Sequence, residues 1–262
     1  ASAGIPTSFY DFDAMTQGLR RGDLIAFAGR PSMGKTSLAL QFARNVAGQN
    51  LPVCFFGFDL SKEELAYRIL GMEVGIEIGR IRTGRFTSEE WQLVYEKNTK
   101  LESLPIFIED KKAISIDEIK NRCRDISMKN NEKSLGLIVI DSYQLMEYSN
   151  VDDYQAQLER NTKELKNLAK ELNVPVLITA PISGRVEERE NCRPMLSDIR
   201  DSDVLEDYGD IIVMLYRDEY YDPETEDRGI AELIVTTHRN GPVGTVKMLF
   251  EPQFGRYRNL AA

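Results

Sequence analysis

The sequence predicts an α/β fold: a mainly parallel central sheet flanked by helices, with antiparallel strands added at the C-terminal end. Apolar runs of strand length alternate with helical patterns over most of the chain. These runs lack a polar face, as expected of parallel strands covered by helices on both sides. From Ile211 onward the pattern becomes three strands joined by short turns, one of them containing Asn240-Gly241-Pro242.

Taken in order, residues 24–29 (LIAFAG) read as a buried strand, followed by a helix from Lys35 to about Ala47. Residues 52–59 (PVCFFGFD) form the next strand candidate, and Ser61 with Glu64 has the spacing of a capping box for the helix after it. Thr87-Ser88-Glu89-Glu90 opens another helix, and residues 105–109 (PIFIE) make another strand. Ser115 and Glu118 repeat the capping-box spacing. Residues 135–141 (LGLIVID) and 174–179 (VPVLIT) are strands flanking a long helix. In it Tyr154, Leu158, Leu165, Leu168 and Leu172 recur at helical spacing. The added strands are residues 211–217, 230–239 and 243–250.

With 262 residues, no internal repeat and no Gly/Ser linker, the simplest partition is one domain over 1–262. No apolar run reaches the length needed to cross a bilayer and no signal segment opens the chain, so no membrane partner is expected. The first residue is Ala1 rather than Met, which reads as a piece of a longer protein. Cys54, Cys123 and Cys192 are odd in number, far apart and without a CxxC pair, which fits a reducing cytoplasm. His238 is the sole histidine, which excludes a histidine-rich metal centre. A net charge of −9 argues against a broad basic coat for nucleic acid, though it leaves room for a localised basic channel.

Gly29-Arg30-Pro31-Ser32-Met33-Gly34-Lys35-Thr36 fills every fixed position of G-x-x-x-x-G-K-[ST], between a strand and a helix. The glycines let the backbone curl until its N–H groups converge on phosphate oxygens at the positive end of a helix. Lys35 is expected to reach the β- and γ-phosphates of ATP, Thr36 to ligate Mg²⁺, and Ser37 to extend the nucleotide contacts. Asp141 ends a buried strand, where ligands of open α/β sheets bind. That position suits a Mg²⁺ partner of the loop, or alternatively a cap for the segment that follows. Asp59 ends the neighbouring strand candidate, placed to deprotonate the attacking water. Its alternative is to cap the helix beginning near Ser61.

Several stretches together resemble the DnaB family of bacterial replicative DNA helicases. They include residues 4–36, Ile81-Arg82-Thr83-Gly84-Arg85, LGLIVIDSYQLM, RPMLSDIRDS, LYRDEYY and RNGPVGTVKMLFEP. The resemblance implies a RecA-like fold and an ATP-driven ring, a hexamer, translocating on single-stranded DNA, with primase or helicase-loader proteins as partners. The family's N-terminal domain has no counterpart here. By position, Lys35, Thr36 and Asp141 match the nucleotide and Mg²⁺ residues, and Arg68 an arginine near the nucleotide. Arg239 matches the finger that a neighbouring subunit inserts into the ATP site. The resemblance also casts Arg185, Arg189, Arg193 and Arg200 as channel-lining contacts to phosphates, with solvated loop charge as the alternative.

The sequence departs from the family pattern at four functional positions. Asp59 stands for a catalytic glutamate, Pro181 for a γ-phosphate-sensing glutamine, and Thr237 for a lysine near the finger, while Asp203 adds a negative charge to a DNA-contacting loop. These departures suggest an alternative, a diverged ATP-binding, oligomerising regulatory paralogue with weak hydrolysis.

Overall fold

The computed structural model describes residues 3–129, 134–146 and 153–260, so both ends of the expected 1–262 span lie outside the described residues. Among the described residues nine strands form one sheet. They are β1 (Leu24–Gly29), β2 (Val53–Gly57), β3 (Ile106–Glu109), β4 (Leu137–Asp141), β5 (Val176–Pro181), β6 (Ile211–Tyr216), β7 (Ile230–His238), β8 (Gly244–Glu251) and β9 (Arg256–Asn259). Their order is β3-β2-β4-β5-β1-β6-β7-β8-β9. The pairs from β3 to β6 are parallel, and β7, β8 and β9 continue the sheet antiparallel.

The helices are α1 (Tyr10–Thr16), α2 (Lys35–Ala47), α3 (Lys62–Val74), α4 (Ile78–Thr83), α5 (Ser88–Glu102), α6 (Ile116–Lys129), α7 (Tyr154–Glu171), α8 (Ser202–Tyr208) and α9 (Asp218–Tyr221). Successive strand side chains point to opposite faces, so a strand packed on both sides is apolar throughout. In β1, Ile25 and Phe27 join the core that holds Leu38, Phe42 and Val46 of α2. Leu24, Ala26 and Ala28 join the opposite core, with Leu165 and Leu168 of α7 and Leu205 of α8.

The structure corrects the sequence reading at several places. β2 stops at Gly57, so Asp59 lies two residues past the strand instead of ending it. β5 is shifted two residues forward and ends on Pro181. At α3, Ser61 Oγ accepts from the Glu64 N–H at 3.1 Å, yet the Glu64 carboxylate turns to Arg82, leaving half a capping box. Likewise Ser115 Oγ accepts from the Glu118 N–H, while the Glu118 carboxylate pairs with Lys111. Only Thr87 with Glu90, of these three pairs, completes the box.

Helices α1, α4, α8 and α9 and strand β9 have no counterpart in the sequence reading, being too short for periodicity to register. Short α1 is held by an aromatic cluster instead. The Phe42 ring lies 5.6, 5.3 and 5.3 Å from those of Phe9, Phe12 and Phe27, contacts that each add about 0.5–1.5 kcal/mol beyond area burial.

Candidate nucleotide site

The loop between β1 and α2 leaves the middle of the sheet at its C-terminal edge. Ser32 and Gly34 both take left-handed backbone, at φ 70° and 89°. Gly34 is the N-cap of α2, and the first turn of that helix carries no acidic residue to offset its positive end. The free N–H groups of that turn and the loop amides suit an anion. Met33 is buried in the core, so it offers a ligand only its backbone.

Around this loop opens a cleft of about 690 Å³ lined by Arg30, Pro31, Ser32, Gly34, Lys35, Thr36, Ser37, Asp59, Arg68 and Asp141, among others. Lys35 Nζ donates to the Gly29 carbonyl. Burial pushes the Lys35 ammonium down to about 8, against the pull of Asp141 and Asp59, while Arg30 adds to the lowering. Thr36 Oγ1 donates to Asp141 Oδ2 at 2.8 Å, and Thr179 Oγ1 to Asp141 Oδ1 at 2.5 Å. Both oxygens of this buried carboxylate are therefore oriented, and the capping alternative for Asp141 has no support in the geometry.

Asp59 is exposed at the cleft wall. Its neighbour Phe58 donates its backbone N–H to the Asp141 carbonyl at 3.0 Å, which keeps the end of β2 beside Asp141. Since Ser61 caps α3, Asp59 is left without that task.

The donor set fits Mg²⁺. A hydroxyl and a carboxylate meet at the loop, and among the described residues no cluster of three or more acidic, Cys or His side chains forms an all-protein cage. Mg²⁺ keeps several waters and typically takes one or two protein carboxylates plus substrate phosphates.

Arg68 of α3 lines the cleft with its Nε 3.6 Å from Glu64 Oε1. Three contributors escaped the sequence reading. Thr179 is a polar residue inside an apolar strand. Arg217 is buried just past β6, donating Nη1 to the Ser32 carbonyl at 2.7 Å, with its guanidinium over the Phe250 ring. Tyr257 of β9 donates its hydroxyl toward the Met33 and Gly34 carbonyls, both at 3.1 Å. The signal for Arg217 was a charge closing an apolar strand. Tyr257 left none, because its four-residue strand has no readable pattern.

Arg239 is not brought to this cleft. Its backbone N–H bonds the Asp210 carbonyl, whereas Gly29 is level with Leu215 in the neighbouring register. Five residues of strand separate the two levels, about 16 Å. The Arg239 guanidinium packs on the C-terminal carbonyls of α8, with Nε donating to Gly209 at 2.9 Å and Nη2 to Glu206 at 3.0 Å. Cations are favoured at that end of a helix. Thr237 lies two residues earlier, opposite Ile212. Asp203 sits in the first turn of α8, where a negative charge is favoured.

Two of the expected channel arginines are committed within the chain. Arg189 forms a two-pronged pair with Asp198, and Arg193 another with the buried Glu232. Arg185 and Arg200 are exposed, the latter at 77% of its side chain and over the Tyr154 ring.

Comparison with known proteins identifies the family and agrees with the fold. The family model described as the DnaB-like helicase C-terminal domain matches residues 4–259. The "Replicative DNA helicase DnaC" of Bacillus subtilis (strain 168) is 42% identical over 260 residues, 98% of this chain and 57% of that protein. The "Replicative DNA helicase DnaB" of Geobacillus stearothermophilus is 40% identical over 260 residues, with the same 98% and 57% coverage. The chain thus spans little more than half the length of these relatives. A solved structure described as an ATPase domain superposes with TM-score 0.94 at 37% identity, covering 98% of this chain and 92% of that one. A solved DnaB-like replicative helicase, described with its interactions with primase, also gives TM-score 0.94 at 37% identity, covering 98% of this chain and 62% of that one.

Proposed function

Because the chain belongs to the family of DnaB-like helicase C-terminal domains, we propose that it is the ATP-hydrolysing motor of a replicative DNA helicase. The observation that carries the proposal is the convergence of Lys35, Thr36, Asp141 and Asp59 on one cleft at the head of α2.

In this reading the loop amides and Lys35 neutralise the β- and γ-phosphates, and Arg68 adds positive charge at the cleft wall. Thr36 and Asp141 hold Mg²⁺, which when bound offsets charge developing on the transferred phosphoryl group. Asp59 orients the attacking water and accepts its proton. Arg239 serves the site of the next copy, where an arginine stabilises the same developing charge. Copies then assemble head-to-tail into a ring, a hexamer by the family resemblance. Single-stranded DNA passes through the ring, contacted by the exposed Arg185 and Arg200. Primase or loader proteins are expected partners, and the cytoplasm the expected compartment; among the described residues no helix is long and apolar enough to cross a membrane. The regulatory-paralogue alternative draws no support from the relatives above, which carry helicase names.

The test is ATP turnover of the chain with and without single-stranded DNA. Stimulation of several-fold is expected, falling with added salt because phosphate contacts release counterions. Turnover that ignores DNA at every salt concentration would sink the motor reading and leave an ATPase of another kind.

A further inference from the structure

Arg30, the second residue of the phosphate-binding loop, does not point freely into solvent. Its Nε meets Glu187 Oε1 at 3.2 Å, with 28% of its side chain exposed against 39% for Glu187. Glu187 lies in a short 3₁₀ segment, Gly184–Glu188, just past the end of β5. The same Glu187 oxygen accepts from the Tyr221 hydroxyl at 3.2 Å. A side chain on Gly184 would begin 3.6 Å from the guanidinium, so the segment and Arg30 pack directly.

Arg30 also lines the nucleotide cleft, close enough to Lys35 for its charge to lower the lysine's proton affinity. Pro181, at the cleft end of β5, has no side-chain donor with which to sense a phosphate. Arg30 therefore combines a five-donor planar fork, a place beside the phosphates and one displaceable carboxylate partner. An exposed pair of this kind is weak and salt-screened. A phosphate beside it offers more charge and three oxygens in a geometry that suits the guanidinium.

On either side of this segment the chain is tied to Asp198. Ser183 donates its N–H to the Asp198 carbonyl at 2.9 Å, and Arg189 clasps the Asp198 carboxylate at 2.7 and 2.8 Å. Both ends of the segment are thus fastened to Asp198 and Val186 between them is buried, so freeing Glu187 loosens only the outer turn around it.

We infer that Arg30 is a sensor of nucleotide state. It pairs with Glu187 when no γ-phosphate is present and swings to the γ-phosphate of ATP, releasing Glu187 and loosening the turn that carries it. This rests on reading the cleft as an ATP site.

The experiment uses the 262-residue chain, an ATP analogue with a non-hydrolysable β–γ bridge, ADP, and Mg²⁺. Amide exchange of residues 182–190 and calorimetric affinities are measured in parallel. The analogue is expected to speed exchange of 184–188 several-fold, with ADP leaving it unchanged. Arg30→Ala should exchange fast without nucleotide, respond to none, and lose several-fold in its preference for the analogue over ADP. Glu187→Gln should bind the analogue a few-fold tighter and ADP as before, and Arg30→Lys should restore only part of the preference. Equal exchange with and without the analogue, or an unchanged preference in both Arg30→Ala and Glu187→Gln, overturns the sensor while leaving the ATP site intact. Failure of the wild-type chain to bind either nucleotide overturns the ATP-site reading, and the sensor with it.

Discussion

Lys35 loses its proton more readily than an exposed lysine because its ammonium is buried beside the loop, with a value of about 8 in the nucleotide-free chain. Only the charged form makes a charge-assisted phosphate contact. Binding should therefore take up protons between about pH 7 and 9, and affinity should fall as pH rises through that window. Calorimetry in buffers of different ionisation heat measures the uptake, and Lys35→Ala should abolish it while weakening ATP at least tenfold. Unchanged proton uptake in Lys35→Ala would assign the linkage to another group. Asp59 poses a question of reach, since its carboxylate falls about 1.5 Å short of a glutamate's. Misplacement on that scale can cost about 10²-fold in rate. Asp59→Glu is expected to raise turnover; a rate unaltered or lowered by the exchange would mean the local backbone already compensates.

Elements explain which parts of the site could be read in advance. The loop, Asp141 and the strands that carry them announce themselves through fixed spacing and unbroken apolar runs, both local properties of the chain. Arg217 and Tyr257 act on the loop from 185 and 224 residues away, and no local pattern encodes such a pairing. The pairing of Arg193 is hidden for the same reason, because Glu232, on β7, is remote from it in sequence, whereas Arg189 and Asp198 lie nine residues apart. Gly34 shows how tightly β9 and the loop are joined. It is left-handed, and a methyl there would meet the Tyr257 hydroxyl at 2.2 Å. Gly34→Ala should lower stability, with about 1–3 kcal/mol from the backbone conformation alone, and should weaken nucleotide binding as well. Adding Tyr257→Phe should return part of the loss by removing the clashing oxygen. Thermal melts read both, and a double variant no more stable than Gly34→Ala would locate the cost wholly in the backbone.

At the scale of the whole molecule, the two candidate catalytic ends lie at opposite edges of one sheet. Arg239 is level with Asp210 and the phosphate loop with Leu215, so Arg239 does not reach the cleft of its own chain. Head-to-tail contacts between copies would supply it, closing into a ring when the rotation permits. Mixing Arg239→Ala with Lys35→Ala chains should then recover part of the turnover that each lacks alone, since some interfaces pair an intact loop with an intact finger. No recovery at any ratio, with mixed assemblies verified by mass, would count heavily against sharing.

The grip on the phosphate loop from Arg217 and Tyr257 has a mechanical meaning. The loop is bolted at its carbonyls to β9 and to the residue just past β6, whereas Asp59 stands exposed at the cleft wall and Glu187 is held beside it by the side chains of Arg30 and Tyr221. A machine built this way has a fixed jaw and a moving jaw. The strands from β6 to β9 would serve as the frame against which a nucleotide is held. If the cleft turns over ATP as proposed, displacement should be taken up around Asp59 and Glu187, on the compliant side of the stroke.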